Sequence, residues 1–226
     1  MKAVGIVGGL GPETTSQFYL DLIRKFRENS DTYPKIIIDN VSFPFYLEEE
    51  IIRKSINEEK ILPFLKESIR RLNKAGADFI VIPCNTVHIF IDELRRESSV
   101  PILSIVDETV KSVEEREYEK VSILATAKTI ESKLYQNPLD ERKIKVVLPS
   151  SAEQEEVSRV IVKILENKIS KEDKDCIENI ISDLRRRGSE SIILGCTDLS
   201  LIVGNSEISI LDTTKILLES TFRKMI

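Results

Sequence analysis

Two cysteines, Cys84 and Cys196, stand in nearly the same sequence context, and a matched pair of thiols can do acid–base chemistry. Each follows a short apolar run and precedes residues that commonly begin helices. A glycine that ends a helical segment lies eight residues before each cysteine, at Gly76 and at Gly188. This self-similarity predicts a duplication, in which two α/β halves each carry one cysteine at an equivalent place.

The chemistry open to such a pair follows from the protonation of a thiol. An isolated cysteine has a pKa of about 8.5 and is mostly protonated at neutral pH, but a helix N-terminus can lower that pKa to roughly 3.5–7.5. A thiolate and a thiol on opposite faces of a carbon atom could take a proton from one side and return one to the other. The expected reaction is racemisation, with N–H donors stabilising the carbanion, and no metal or pyridoxal cofactor is expected.

Other roles for the cysteines stay open. Either cysteine alone is more often a core residue than a catalytic one, so the duplicated position is what favours catalysis. A metal site built from Cys84, His88 and Cys196 is an alternative, although zinc sites use three or four protein ligands and the chain has one histidine. His88 is instead expected in the first helical turn after Cys84, close enough to tune the site. Cys176 lies within a helical pattern and is expected to be a packing residue.

Apolar runs alternate with amphipathic helical segments along the whole chain, which predicts parallel sheets with helices on both faces. The predicted strands cover 2–7, 35–38, 79–82, 101–104, 121–125, 144–148, 191–194 and 208–212, and the main predicted helices cover 13–29, 58–75, 107–117, 153–168, 171–187 and 213–225. The predicted fold class is α/β, with two pseudo-symmetric open parallel-sheet domains and the active site in the cleft between them. Residues 1–106 plus 212–226 are assigned to the domain of Cys84, and residues 107–211 to the domain of Cys196.

A glycine-rich turn, Gly8–Pro12, joins the first predicted strand to the first predicted helix. Its spacing is not G-x-G-x-x-G, and no acidic residue clearly follows the second strand at the expected distance, so dinucleotide binding is the weaker interpretation. The turn is predicted to present backbone N–H groups to a carboxylate or phosphate.

Bulk composition narrows the class of protein. The 226 residues carry a formal net charge of −5 and show no basic stripe with interleaved aromatic residues, which argues against nucleic-acid binding. No apolar run is long enough to span a membrane, and residues 1–10 lead into a strand rather than resembling a signal peptide. A cytoplasmic location is expected, in which three cysteines are not expected to form a disulfide framework.

The chain resembles the aspartate/glutamate racemase family over its whole length and in the same order of motifs. The resemblance is carried by Gly8–Gly11, Pro83–Thr86 with His88, Ala125–Thr129 and Gly195–Asp198. It implies a cofactor-independent amino-acid racemase with two α/β domains, commonly a homodimer, acting on a small amino acid or a related carboxylate. Cys84 and Cys196 would be its two bases.

The resemblance also implies the substrate-binding residues. Hydrogen bonds around the α-carboxylate and amino group are assigned to Asn85, Thr86, Thr126, Thr129 and Thr197, with Gly9 and Leu10 along the same cleft. Aspartate-specific relatives hold the side-chain carboxylate with an arginine and a lysine, and the matching positions here are Tyr46 and Glu166. Lys163 and Lys168 flank Glu166, so a shifted alignment would restore a cation.

These departures bear on the substrate. An unpaired buried carboxylate costs several kcal/mol, so Tyr46 and Glu166 weigh against aspartate, and Glu166 is expected to favour a neutral or cationic side chain. The usual glutamate after the second cysteine and threonine is shortened to Asp198. Two other functions stay open: another isomerase or lyase acting next to a carboxylate, which the retention of both cysteines disfavours, and a carboxylate-binding protein without turnover.

Overall fold

The computed structural model describes residues 1–54, 56–204 and 207–226, and for residues 48, 49 and 52–54 it describes the backbone alone. Its strands are β1 (Val4–Gly8), β2 (Ile36–Asn40), β3 (Phe79–Val81), β4 (Ile102–Leu103), β5 (Lys120–Leu124), β6 (Lys145–Val147), β7 (Ser191–Leu194) and β8 (Ser209–Asp212).

The strands form two four-stranded sheets with the same order, β2-β1-β3-β4 and β6-β5-β7-β8. All six strand pairs of the described residues are parallel. The central strands β1 and β7 are buried along their whole length, as expected when helices cover both faces of a sheet. The predicted fold class, α/β with two pseudo-symmetric open parallel sheets, is confirmed.

Ten α-helices lie in the described ranges: α1 (Pro12–Asn29), α2 (Phe45–Lys54), α3 (Leu62–Lys74), α4 (Ile91–Glu97), α5 (Ile105–Glu115), α6 (Ala127–Glu131), α7 (Gln136–Asp140), α8 (Ser151–Leu165), α9 (Lys171–Arg186) and α10 (Thr213–Met225). Short 3₁₀ helices cover Glu58–Ile61, Thr86–Phe90 and Thr197–Leu201. None of the helices in the described part of the chain has the length and hydrophobicity that crossing a membrane requires.

The helix predicted over 58–75 is wrong in its first turn. Glu58–Ile61 is a 3₁₀ helix, and α3 begins at Leu62, one residue before Pro63. Proline has no N–H group and is best tolerated in the first turn of an α-helix, so Pro63 fixes where α3 begins. Helix α2 was not predicted from the sequence pattern.

One hydrophobic core is shared by the two sheets. Ile6 of β1 and Ile123 of β5 belong to the same buried cluster, and both are fully buried. Helices α5 and α10 pack against each other and add Val110 and Leu217 to that cluster. The two halves are therefore joined through apolar contacts as well as through the chain.

Helix α10 returns to the first half of the chain. It packs against α1, and the backbone N–H of Lys2 donates a hydrogen bond of 2.9 Å to the carbonyl oxygen of Met225. This packing agrees with placing 212–226 in the first domain, and the domain boundaries themselves stay a prediction.

Helix α8 is held against α9 by a buried carboxylate. Asp173, whose side chain is 2% exposed, accepts hydrogen bonds from Lys163 Nζ at 2.9 Å and Arg159 Nη1 at 2.6 Å. These two cations hold the pKa of the Asp173 carboxyl well below its usual range. Asp173 also forms a capping box with Ser170 at the start of α9. The ammonium of Lys163 is thus committed to this contact.

Candidate active site

The two cysteine loops border one cavity, part of which is open to solvent. Cys84 follows β3 and Cys196 follows β7, so both lie near the carboxyl ends of strands, where open α/β sheets bind ligands. The lining residues are Leu10, Gly11, Phe43, Ile51, Ile61, Cys84, Asn85, Thr86, Val87, Thr126, Ile161, Leu165, Cys196, Thr197 and Asp198. The structure thus brings one thiol from each half to a common space.

Cys196 is the more buried of these two thiols, with 7% of its surface exposed. Its Sγ lies 3.6 Å from Oδ2 of Asp198, to which the thiol can donate. Burial, followed by the negative charges of Asp198 and Cys84, raises the pKa of Cys196 well above its usual value, although the backbone N–H of Asp198 acts in the opposite direction. A helix N-terminus can lower the pKa of a thiol, but at Cys196 burial outweighs the short 3₁₀ helix that follows, so the pKa is raised.

Asp198 holds the second cysteine loop to the opposite half of the molecule. Its Oδ1 accepts a hydrogen bond of 3.4 Å from Oγ1 of Thr14, in the first turn of α1. Burial raises the pKa of Asp198, and its hydrogen bonds with Cys196 and Thr14 favour the charged form. The Asp198 carboxylate therefore contacts both the Cys196 thiol and Thr14 of the other half.

The first cysteine loop is held in the corresponding way by hydroxyl groups. Oγ1 of Thr86 lies 3.2 Å from that of Thr126 and 3.3 Å from that of Thr129, and the latter two are 2.9 Å apart. Thr86, Thr126 and Thr197 line the cavity, whereas Thr129 is fully buried. The residue two positions after each cysteine thus contacts the other half of the molecule. Thr86 contacts α6 and the turn before it, and Asp198 contacts α1.

Asn85 is 2% exposed and belongs to a buried polar network. The hydroxyl of Tyr135 donates to Asn85 Oδ1, and Asn85 Nδ2 donates to Oγ1 of Thr213 at 3.1 Å. Thr213 in turn donates to the carbonyl oxygen of Leu194 at 2.8 Å. Asn85 occupies the position before the following 3₁₀ helix, but its side chain does not cap that helix, because it bonds the buried hydroxyl groups of Tyr135 and Thr213.

His88 supports the first cysteine from behind the cavity. It is 1% exposed, its Nδ1 lies 2.8 Å from the carbonyl oxygen of Cys84, and its Nε2 accepts a hydrogen bond from the backbone N–H of Ile105 at 3.3 Å. These contacts assign the proton to Nδ1. Burial lowers the pKa of His88 to about 4, so the ring is neutral at pH 7. Both ring nitrogens are used within the protein, which argues against the alternative of a metal ligand.

Mild acid should destabilise the protein through His88. The unfolded imidazole titrates near pH 6.5 and the folded one near 4, so between these values the unfolded state binds more protons. The free energy of unfolding should fall as the pH drops through this window, by roughly 3 kcal/mol in total. Urea unfolding between pH 7 and 5 measures this slope, and His88→Gln should flatten it. Equal slopes in the natural protein and in His88→Gln would contradict the assignment of this pH dependence to His88.

The glycine-rich turn after β1 shapes one wall of the cavity. Gly9 has φ +82°, and a Cβ there would lie 2.9 Å from Oδ1 of Asn40. The N–H of Gly9 donates to Oγ1 of Thr15 at 3.1 Å, so it is used inside the protein. Leu10 and Gly11 line the cavity. A binding role for Gly9 and Leu10 stays a prediction.

Tyr46 and Glu166 are not among the described residues that line the cavity. Tyr46 is 57% exposed in the first turn of α2. Glu166 directly follows α8, and its Oε2 lies 2.9 Å from Nζ of Lys168. With Lys163 bound to Asp173, neither lysine that flanks Glu166 lines the cavity in the described structure. The substrate-binding role of Tyr46 and Glu166 stays a prediction.

The covering segment, which consists of α2 and the 3₁₀ helix Glu58–Ile61 of the first half, borders the cavity. Ile51 of α2 and Ile61 line it and are 7% and 3% exposed. Helix α2 packs against α6 and α8 of the second half. An ion pair between Glu58 and Lys128, whose side chains are each 20% exposed, ties the same segment to α6. The covering segment therefore bridges the two halves.

Several wall residues carried no clear signal in the sequence. Ile161 and Leu165 are four residues apart on α8, and this spacing marks a common helix face without showing that the face borders a cavity. Ile51 could not be placed because its helix was not predicted. Tyr135 lies 50 positions from Asn85, and no local pattern joins them.

The sequence profile of the Asp/Glu/Hydantoin racemase family matches residues 7–221, which include every motif of both cysteine loops. The chain belongs to this family. The match confirms the resemblance drawn from the motifs. Each half of the chain carries one of the two cysteine loops described above.

Individual relatives agree with this assignment. The chain is 30% identical over 225 residues to the broad-specificity amino-acid racemase RacX of Bacillus subtilis strain 168, covering 96% of each protein. The structure of an aspartate racemase homologue from Pyrococcus horikoshii OT3 is 31% identical with a TM-score of 0.83, covering 100% of this chain and 99% of that one. Glutamate racemase from Francisella tularensis, solved with D-glutamate, shares the fold at 18% identity, with a TM-score of 0.69 over 99% of this chain and 80% of that one.

Proposed function

We propose that the protein is a cofactor-independent amino-acid racemase that uses Cys84 and Cys196 as an acid–base pair at the α-carbon. One observation carries this proposal: the two cysteines come from opposite halves, line one cavity and lie close enough for a charge on Cys84 to raise the pKa of Cys196. Relatives that span nearly all of the chain are named as racemases, which supports the same activity.

The electrostatics suggest how the two thiols divide the work. Cys196 keeps its proton at rest because burial and Asp198 raise its pKa, which suits it to the acid role and leaves the role of base to Cys84. As the S–H bond of Cys84 forms, the α-C–H bond breaks and its electron pair stays on the carbon. Cys196 then gives its proton to the opposite face, which inverts the α-carbon. The two cysteines have exchanged protonation states, ready for the reverse reaction.

The polar side of the cavity fits the common part of an amino acid. Hydroxyl groups of Thr86, Thr126 and Thr197 and the amide of Asn85 border the space between the cysteine loops. Such donors can hold the α-carboxylate and stabilise the negative charge that develops on the carbanion. We assign these four residues to binding the α-carboxylate and amino group, with Thr129 behind them as support.

A homodimer and a cytoplasmic location, both drawn from the sequence, stay part of the proposal. Light scattering on the purified protein measures the oligomeric state directly. A monomer at micromolar concentration would contradict the dimer and leave the proposed chemistry intact, because both cysteines belong to one chain.

The experiment that tests the function is α-proton exchange in D₂O, followed by NMR across the common L-amino acids and their D-forms. A two-base racemase should place deuterium first in the product enantiomer, while the remaining substrate keeps its hydrogen. Binding of an amino acid, seen as a rise in melting temperature without any exchange, would instead support the alternative of a binding protein without turnover.

A further inference from the structure

One wall of the cavity is lined by apolar side chains. Its members come from both halves of the molecule and are Leu10, Phe43, Ile51, Ile61, Val87, Ile161 and Leu165. Ile51, Ile61 and Ile161 are nearly fully buried, and Leu165 is 39% exposed at the end of α8. The polar lining groups belong to the cysteine loops and to Thr126, so the cavity has a polar part and an apolar part.

Among the described residues that line the cavity, the only charged side chain is negative. Asp198 is the only ionisable carboxyl, amine, guanidine or imidazole group among the lining residues that the structure describes. Four lysines with described side chains that lie close in sequence to lining residues form ion pairs: Lys60 with Glu50, Lys128 with Glu58, Lys163 with Asp173, and Lys168 with Glu166. A second carboxylate on a substrate would meet Asp198 and hydrocarbon, without a described cation to pair with.

We infer that the racemase acts on amino acids with apolar side chains, which lie against Ile51, Ile61, Ile161 and Leu165. The inference rests on the proposed function and adds the substrate class to it. Burying an apolar side chain against these residues is favourable, whereas burying a carboxylate without a partner is strongly unfavourable. The apolar wall thus selects against aspartate and glutamate, while the polar part accepts the α-carboxylate that all amino acids share.

A comparison of three substrates of similar shape separates the effect of side-chain charge from that of side-chain size. Leucine, asparagine and aspartate have the same branching at the γ position and differ in polarity and charge. The kcat/KM for racemisation should fall in that order, with leucine preferred over aspartate by about 100-fold or more. Aspartate turned over as well as leucine would overturn the inference and leave the racemase standing. No exchange with any amino acid of either hand would overturn the proposed function instead.

A rim variant tests whether the apolar wall sets the preference. Leu165→Lys places a cation at the end of α8, where the aliphatic stem can follow the wall and the ammonium can stay hydrated. The ratio of kcat/KM for aspartate to that for leucine should rise roughly tenfold or more. Leu20→Lys is the matched control, since Leu20 is 52% exposed on α1 and is not a lining residue.

The control separates a local effect from a change in net charge. Leu20→Lys should leave the ratio unchanged, and circular dichroism with thermal unfolding should show both variants folded. An unchanged ratio in folded Leu165→Lys, or an equal rise in both variants, would overturn the role of this wall. The comparison of leucine with aspartate in the natural protein decides the substrate class even if Leu165→Lys does not fold.

Discussion

Replacing Cys84 or Cys196 with alanine should lower kcat for racemisation by about 10²–10⁴-fold. Each substitution removes the only thiol on one face of the α-carbon, and the remaining thiol cannot both take the proton from one face and deliver it to the other. Cys176→Ala should leave the rate unchanged, because Cys176 lies on α9 with its Sγ 3.7 Å from Glu156 and does not line the cavity. The rate at which the circular dichroism signal of a single amino-acid enantiomer disappears measures racemisation in all three variants.

The two catalytic variants should also differ from each other. Cys196→Ala keeps Cys84 and should still exchange the α-proton of one enantiomer with deuterium, without inverting it. Cys84→Ala should show the same one-sided exchange with the other enantiomer. Equal racemisation in all three cysteine variants would rule out the two-base mechanism, and loss of activity in Cys176→Ala would indicate a structural effect.

The largest loss of stability is expected in the network around Asn85. Tyr135 is fully buried, and burial raises the pKa of its hydroxyl, which therefore stays a hydrogen-bond donor to Asn85. Tyr135→Phe leaves Asn85 Oδ1 without that donor and should lower the free energy of unfolding by about 1–3 kcal/mol. Asn85→Leu should lower it at least as much, because it leaves the Tyr135 hydroxyl without its acceptor. Urea unfolding at pH 7 measures both.

Two controls make this prediction specific. Tyr33→Phe removes a hydroxyl from a side chain that is 67% exposed and should change the unfolding free energy by less than about 0.5 kcal/mol. The double variant Tyr135→Phe with Asn85→Leu should be more stable than the sum of the two single losses predicts, since it removes both partners of one bond. Strict additivity would show that the two side chains do not depend on each other.

The parts of this site that local sequence could predict are those set by local physics. An apolar run before each cysteine marks a strand that is buried on both faces, and the repeated glycine spacing shows that the pattern occurs twice. Together they placed Cys84 and Cys196 at equivalent strand ends, and the strand order of the two sheets confirmed the fold class. The prediction worked because a parallel strand is recognised by its own composition.

The parts that the sequence could not predict depend on partners far along the chain. Asn85 is of a residue type that commonly caps helices, yet its amide group donates a hydrogen bond to Thr213, 128 positions away. The pKa of Cys196 could not be read from the helix-like pattern after it, since its direction is set by burial that only the folded chain creates. The covering segment was missed for a similar reason, because Ile51 and Ile61 are buried in a cluster with Val7 of β1, which lies far away along the chain.

The return of α10 to the first half has a consequence for synthesis on the ribosome. Strands β1 to β4 emerge early, but the core that they share with β5 and β7 also needs α10, which follows these strands in the chain and packs against α1 and α5. The amino-terminal sheet therefore cannot bury its apolar surface fully before α10 has been made. Until α10 has left the exit tunnel, Ile6 and its neighbours form a surface that a nascent-chain chaperone would bind.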